Sequence, residues 1–474
     1  METPVIGMAH SVTGIRWDLQ IRSPRPTIGL MHIKMNRKIV AALFITLLFA
    51  SVFTACASEL NNNKKEETAS IAALNKDELS DSGSISVAKV GNDTDIPSFM
   101  TSAKTEHGLY TLVEWPIGAY SENSPWIHCG NIIYVDYQTG QKIYLCNNPG
   151  CSHNTEECQS YIRYPGSCTL FTNVSGEKLY CMAYGAENGE IYSENDCGRI
   201  YEMNLDGTDR RELTVLPSNM CFSMQDAVFS SKEKLYVGVL KTNSSSKTTD
   251  HVLMSIDIRT GAMNEICRLS LSAVLLQMEG ENAIVLQSLD SNGVHVIRRI
   301  LQTAEEDILF ESTEISPFVN GDRIITCKLA GTEAIITVQN YIKQETKTIT
   351  IEGIYTQSPI IMFCCVDDTI HLSYYTETGD VKELYVDLAN GKVWDKKLTY
   401  TSYGETRFVQ IVSSLDDRYL VIGDYKEIEV SFVDGSGVQK KYSVVSPQLA
   451  LIDKEDYWQN IPEYEWIEDK TIYS

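Results

Sequence analysis

Positive charge is scarce in this 474-residue chain, where 40 Lys and Arg stand against 63 Asp and Glu for a formal net charge of −23. So acidic a surface repels phosphate backbones and anionic headgroups, which speaks against nucleic acid and anionic lipid as partners. Divalent cations, basic peptides and neutral glycans remain open, and the plainest role of the acidity is to keep a surface protein soluble. Long apolar runs are also lacking. The run 39–53 holds fifteen residues, fewer than the roughly 20 that a membrane-spanning helix needs. Nor is there a G-x-S-x-G elbow, an H-E-x-x-H pair or a P-loop. His107, His128, His251, His295 and His371 are scattered singly, as surface or hydrogen-bonded histidines are. The acidic pairs Asp367-Asp368 and Asp416-Asp417 fall where strands should end, a position that favours Asp for its own backbone hydrogen bond. No catalytic constellation emerges.

What the chain does have begins with residues 36–56, NRKIVAALFITLLFASVFTAC. Arg37 and Lys38 form a short positive region, 39–53 an apolar one, and small residues lead to Cys56, the order of a secretory signal. Phe53-Thr54-Ala55-Cys56 resembles the lipobox of bacterial lipoproteins, which implies lipidation of Cys56 and an extracytoplasmic protein anchored to the bacterial cell membrane. Phe53 departs from the usual leucine, and Ala55-Cys56-Ala57 also fits an A-x-A site that would release a secreted, soluble protein. The signal starts at Met35; residues 1–34 carry Trp17, Pro24 and Pro26 without a recognisable pattern, and we read them as a start assigned too far upstream. With 1–56 removed, the exported part carries 34 basic and 61 acidic residues, a net of −27. Residues 57–100 are poor in large apolar side chains and rich in Asn, Ser, Asp, Glu and Lys, so they are expected to form a flexible linker.

From 101 to 474 the pattern is all-β. Strand-like runs such as NIIYVDY at 131, KLYCMAY at 178, KLYVGVL at 234 and TIHLSYY at 369 recur between turn signals, with no long helical period. Asp136-Tyr-Gln-Thr-Gly140, Asn204-Leu-Asp-Gly207, Asp257-Ile-Arg-Thr-Gly261 and Asp387-Leu-Ala-Asn-Gly391 put Asx at the start of a hairpin loop and Gly where φ is positive. Two degenerate units around 300 and 342 fill the long gap, and a last unit ends near Asp453. Units at this period are the signature of a β-propeller; seven blades fit best, with six or eight as alternatives. The blade motifs of several propeller families are missing or single: no S-x-D-x-G-x-x-W box appears, Trp394-Asp395 is a lone WD dipeptide, and one D-x-x-x-G-x-x-W in 387–394 is a shared turn geometry.

The stretch richest in chemistry is Cys146-Asn-Asn-Pro-Gly-Cys151-Ser-His153-Asn-Thr-Glu-Glu-Cys158, directly after the first turn. Three thiols and an imidazole can wrap one tetrahedral ion, with Pro149-Gly150 making the turn that lets Cys146 and Cys151 converge, and zinc is the metal such a set favours. The spacing C-x4-C-x-H-x4-C is not one of the standard zinc spacings. Outside the membrane a disulfide, for instance Cys151 with Cys158, is the competing reading. Eight of the twelve cysteines after Cys56 (Cys129, Cys146, Cys151, Cys158, Cys168, Cys181, Cys197 and Cys221) crowd the first three units. Taken with Asp136, Thr139, Gly140, Leu145 and Pro149, the motif resembles that of bacterial surface lipoproteins with TolB-like propellers of uncharacterised activity. That resemblance implies architecture and location, and no reaction.

These readings lead to a lipid-anchored, non-enzymatic propeller that binds an extracellular glycan, peptide or protein at one end of its central channel, where blade loops converge. The alternative is an extracellular carbohydrate-active enzyme, a propeller-fold lyase or hydrolase. The two differ in what the channel mouth should show: His, Tyr, Arg and carboxylates converging for the enzyme, aromatics and neutral polar groups without an acid/base pair for the module.

Overall fold

The computed structural model describes residues 87–91, 102–114, 127–185, 196–243, 245–246, 248–354, 360–395, 397–402, 405–433 and 439–471. The signal 35–56 with Cys56, and residues 1–34, lie outside the described residues. Among the described residues no helix is long and apolar enough to cross a membrane.

Seven antiparallel meanders of consecutive strands follow one another along the described residues; five stand as four-stranded sheets, and those of blades 1 and 3 are extended to six strands by added segments. Blade 1 starts with Ser102–Lys104 and Gly108–Glu114, blade 2 with Cys168–Thr172 and blade 3 with Val228–Ser230. Blade 4 starts with Ala273–Glu279, blade 5 with Phe318–Asn320, blade 6 with Ile361–Val366 and blade 7 with Gln410–Ser414. Strands covered on both faces by neighbouring blades read as continuous apolar runs, which is why Lys178–Ala183 is buried at five successive positions. Outer strands alternate instead, as Glu345–Glu352 does with only Ile349 and Ile351 buried.

Apolar clusters join each blade to the next around a closed ring. Leu170 and Cys181 pack with Leu112 and Ile132 between blades 1 and 2, and Ile336 with Leu372 between blades 5 and 6. The seventh cluster brings Val412, Leu420 and Leu449 of blade 7 against Leu109 and Val135 of blade 1. Closure does not rest on a shared blade. The chain end runs past blade 7, packs Ile467 into that last cluster, and lays Glu468–Asp469 parallel to the outer strand Gln141–Tyr144 of blade 1. Lys142 donates to Asp469 at 2.8 Å there, with both side chains at most 10% exposed.

The turns expected from sequence link the third and fourth strands of their blades. Gly140, Gly207, Gly261 and Gly391 all have positive φ, between 63° and 81°. In the degenerate blades 4 and 5 the glycine place is taken by Ala304 and Gln344, both at φ 58°. Blade 7 ends differently from the expected stop near Asp453. The short helix Lys454–Gln459 intervenes before the fourth strand, Glu465–Trp466.

Two departures from a plain propeller matter for function. The segment 57–100, expected as flexible linker, contains a strand: Ala88–Gly91 pairs antiparallel with Val228–Ser230 on the inner edge of blade 3. It also touches the first strands of blades 2 and 4, while Val87 and Val90 pack on the clusters beside blade 3. Burial of those two valines is what the local composition did not weigh. In blade 1 the outer strand is split. Gln141–Tyr144 pairs with one half of Ile127–Asp136 and Tyr161–Pro165 with the other, so the chain leaves the sheet and re-enters it in the same direction. Ile132 marks the neck: its carbonyl accepts from the Leu145 amide at 3.0 Å, and its own amide donates to the Ser160 carbonyl at 2.8 Å.

Candidate metal centre

The excursion 146–159 contains no large apolar residue, and what it buries is its cysteines, Cys158 at 2% exposure with Cys146 and Cys151 beside it against Cys129 and Tyr161, too small a cluster to serve as a core of its own. Its four soft or borderline ligands nevertheless converge. One donor atom from each of Cys146, Cys151, His153 and Cys158 lies within 4.8 Å of all the others. A closed tetrahedral shell with bonds of about 2.3 Å separates its donors by about 3.8 Å, so the set is an ångström wider than a filled site and of the right size for a metal ion. His153 Nδ1 faces Cys158 Sγ at 3.3 Å. Cys146, Cys151 and Cys158 form no disulfide, and His153 turns toward the Cys158 sulfur.

Surrounding groups hold this arrangement. Asn131, buried on the third strand of blade 1, donates to the His153 carbonyl and to Ser160 Oγ, each at 2.9 Å. Ser160 in turn lies 3.3 Å from Cys158 Sγ. The His153 ring stacks on Tyr144 at 4.1 Å between centroids, and its amide points at Cys151 Sγ at 3.4 Å. His153 has φ 55°, a left-handed conformation costing a non-glycine residue about 1 kcal/mol or more, kept because these partners fix it. The Asn147 amide donates to Gln159 Oε1 at 2.8 Å and zips the ends of the excursion together. Burial pushes the Cys158 thiol up, but Ser160, His153 and the Tyr161 and Ser160 amides outweigh it and bring the pKa down to about 6. For Cys151 the His153 amide pulls down, while burial and the two neighbouring thiols push up and prevail.

Beside the excursion lies a cleft of about 300 Å³ between the Tyr161–Pro165 strand and blade 2. Arg163, Arg199, Arg210, Tyr161, Tyr201 and Glu156 line it. Arg163 pairs with Glu156 at 3.4 Å and Arg199 with Glu212 at 2.8 Å. Arg210 donates to the carbonyls of Tyr161 and Glu156, tying blade 2 to the excursion. The phenols are committed as donors: Tyr161 to Cys129 Sγ at 3.0 Å and Tyr201 to the Arg163 carbonyl at 3.1 Å. Burial pushes both phenols above their ordinary range.

Sequence spacing thus found the four ligand candidates but not Asn131, Ser160, Tyr144 or the arginines. Those come from other strands, and only Asn131 carried a cue, as a polar residue in an apolar run. The scattered histidines are satisfied locally, His371 by Glu383 at 3.0 Å and His295 by Asp290 at 3.0 Å. Trp394 stacks on Trp458 at 5.0 Å and is a packing residue. Cys365 is buried between blades 5 and 6.

Seven meander sheets in a ring, closed by apolar clusters, define a seven-bladed β-propeller. No family model and no curated protein matches the chain. Among solved structures it is similar to the β-propeller domain of the Trilobed protease from Pyrococcus furiosus, at 10% identity and TM-score 0.42, covering 79% of this chain and 99% of that one. An oligogalacturonate lyase from Vibrio parahaemolyticus matches at 11% identity and TM-score 0.40 over 76% of this chain and 98% of that one. The acylaminoacyl peptidase of Pyrococcus horikoshii matches at 12% identity and TM-score 0.44 over 80% of this chain and 54% of that one. The assignment of the fold stands on the chain's own blades.

Proposed function

We propose that the chain is a lipid-anchored extracytoplasmic binding module that engages an extracellular glycan, peptide or protein beside a zinc-stapled loop of blade 1. The observation that carries the reading is the chemistry of the cleft. Its guanidinium groups keep their charge at all physiological pH, its phenols Tyr161 and Tyr201 are already donors to protein acceptors and have raised pKa values, and its one carboxylate, Glu156, is paired with Arg163, so its lining is suited to holding a ligand rather than to exchanging protons with it.

Cys146, Cys151 and Cys158 as thiolates and His153 as a neutral imidazole would hold the ion, which would supply the folding energy that an apolar core cannot. The chain's own residues prepare the site. Asn131 and Tyr144 fix the His153 backbone and ring, and Ser160 orients Cys158. Cys56, at the end of the export signal, would carry the lipid that ties the module to the membrane.

Protein purified without chelator or reductant tests the metal reading. Close to one zinc per chain, lost in His153→Ala, is expected; absence of metal together with two thiols missing from a titration would reject it in favour of a disulfide. Cys56→Ser should move the protein from the detergent phase to the aqueous phase, and equal partitioning of mutant and parent would remove the anchor. Turnover of a glycan by the purified chain would replace the binding module with an enzyme.

A further inference from the structure

We infer that the cleft between blades 1 and 2 is an oxyanion site, which takes a compact ligand through a carboxylate or phosphate group. This rests on the reading of the chain as a binding module and names the ligand class. The chain has a net charge of −23, yet three of its 40 basic residues meet at one cavity of about 300 Å³ that a single carboxylate, Glu156, also lines. They come from different elements: Arg163 from Tyr161–Pro165, Arg199 from Arg199–Asn204, and Arg210 from the turn before Arg211–Val215. Glu212, the partner of Arg199, does not line the cavity, and Arg210 is held by carbonyl oxygens. The cavity therefore carries positive charge in excess of its own carboxylate.

A guanidinium presents donors in a planar fork that matches the oxygens of a carboxylate or phosphate, and the match strengthens where water is partly excluded. Arg199 is 12% exposed and Tyr164 forms a buried wall. The volume lies at the small end of ligand sites, which suits a monosaccharide-sized molecule or smaller. The acidic surround adds selection, because a polyanion would be repelled at its far charges while an anion of one or two charges fits within the basic lining. Glu156 belongs to the Cys/His excursion and its carbonyl accepts from Arg210, so the loop that the ion would order also builds one wall of the cleft.

Titration calorimetry on the full-length, metal-replete protein, with inorganic phosphate, succinate and glucose as probes, tests the inference. Saturable binding of phosphate or succinate, but not of glucose, is expected, and which anion binds identifies the source of the oxyanion. Arg210→Gln should weaken it by about tenfold or more. Arg163→Gln, at a partly exposed strand position that does not tie blade 2 to the excursion, repeats the test should Arg210→Gln fail to fold. Glu156→Gln should tighten binding several-fold, because it removes the repelling charge while keeping the shape, an effect that a merely structural residue would not produce. Absence of saturable binding by either anion overturns the oxyanion site, as does equal binding of glucose or loss of binding in Glu156→Gln. A chain that holds no zinc and still binds succinate upholds the oxyanion site while the metal reading falls. A zinc-replete chain that binds neither anion does the reverse.

Discussion

His251 is 2% exposed and Asp226 1%, and both ring nitrogens of the histidine face acceptors: Nε2 the Asp226 carboxylate at 2.6 Å, Nδ1 the Ser270 carbonyl at 3.1 Å. Two acceptors are both satisfied only when the ring carries two N–H donors, so the site favours the imidazolium. The other oxygen of Asp226 accepts the amide of Leu275 at 2.7 Å and so bolts blade 3 to blade 4. Burial pulls the His251 pKa down, but the Asp226 carboxylate and the Ser270 carbonyl outweigh it and raise the value above the ordinary one. A raised folded pKa means that this stabilisation is complete below the unfolded value, about 6.5, and is lost as pH rises through the folded pKa. The melting temperature of the parent relative to His251→Leu should therefore fall as pH is raised above that point; a pH-independent difference would mean a neutral ring. His251→Leu itself should cost about 3–5 kcal/mol below that point, because the Asp226 carboxylate stays buried without its counter-charge. Denaturant titration at two pH values measures both quantities.

An element can be stable on one side and dependent on a ligand on the other, and with the proposed ion the outer strand of blade 1 would be such a case. Its two halves, Gln141–Tyr144 and Tyr161–Pro165, are held by ladder bonds to Ile127–Asp136, whereas the excursion between them has four donor residues in place of an apolar core. Chelation should leave the blade intact and release the loop. Hydrogen exchange is expected to speed up by about tenfold or more at the Cys151 and Cys158 amides, while Ile132 to Val135 stay protected. If the whole blade loses protection together, the loop is part of the blade's cooperative unit and the ion is holding more than the excursion.

The meander strands of blade 1 all come from one part of the chain, and the far end adds only the two-residue strand Glu468–Asp469 at its outer edge, so the seventh interface carries most of what an interleaved blade would otherwise supply. Val412, Leu420 and Leu449 pack on Leu109 and Val135, and the Lys142–Asp469 ion pair pins the chain end to blade 1. Asp469→Asn leaves a buried ammonium without its counter-charge, which should cost about 3–5 kcal/mol. A drop in the denaturant midpoint is expected; an unchanged midpoint would mean that the apolar cluster closes the ring alone. The strand Ala88–Gly91 works at the same scale from the other end of the chain. By lying along the inner edge of blade 3, it occupies channel-facing backbone where a channel ligand would otherwise pair. The cleft on the flank of blades 1 and 2 is accordingly the site that the charge distribution favours.

Local chemistry was legible in the order of the residues alone. Asp136, Asp257 and Asp387 each accept from the amide of the glycine four residues on, so an Asx and a Gly at fixed offset announced the same loop in three blades. Asn204 and Gly207 marked a tighter turn of the same place in a fourth. In blade 4 Ala304 makes that bond to Ile300 with neither signal residue present, and in blade 5 Asn340 keeps the Asx role while Gln344 replaces glycine. Those units looked degenerate because Ala304 and Gln344, both exposed, hold the left-handed position that sequence preference would have filled with Gly. The four ligand candidates were legible too, since a 13-residue window confines them whatever the fold. Three things were decided only in three dimensions: that Val87 and Val90 would dock a strand on blade 3, that Asn131 would hold His153, and that three arginines would meet at one cleft. A turn or a short ligand loop is set by residues a few bonds apart. These contacts instead join residues 22 to more than 100 positions apart, whose proximity is fixed by the fold and by burial, and no periodicity along the chain encodes either.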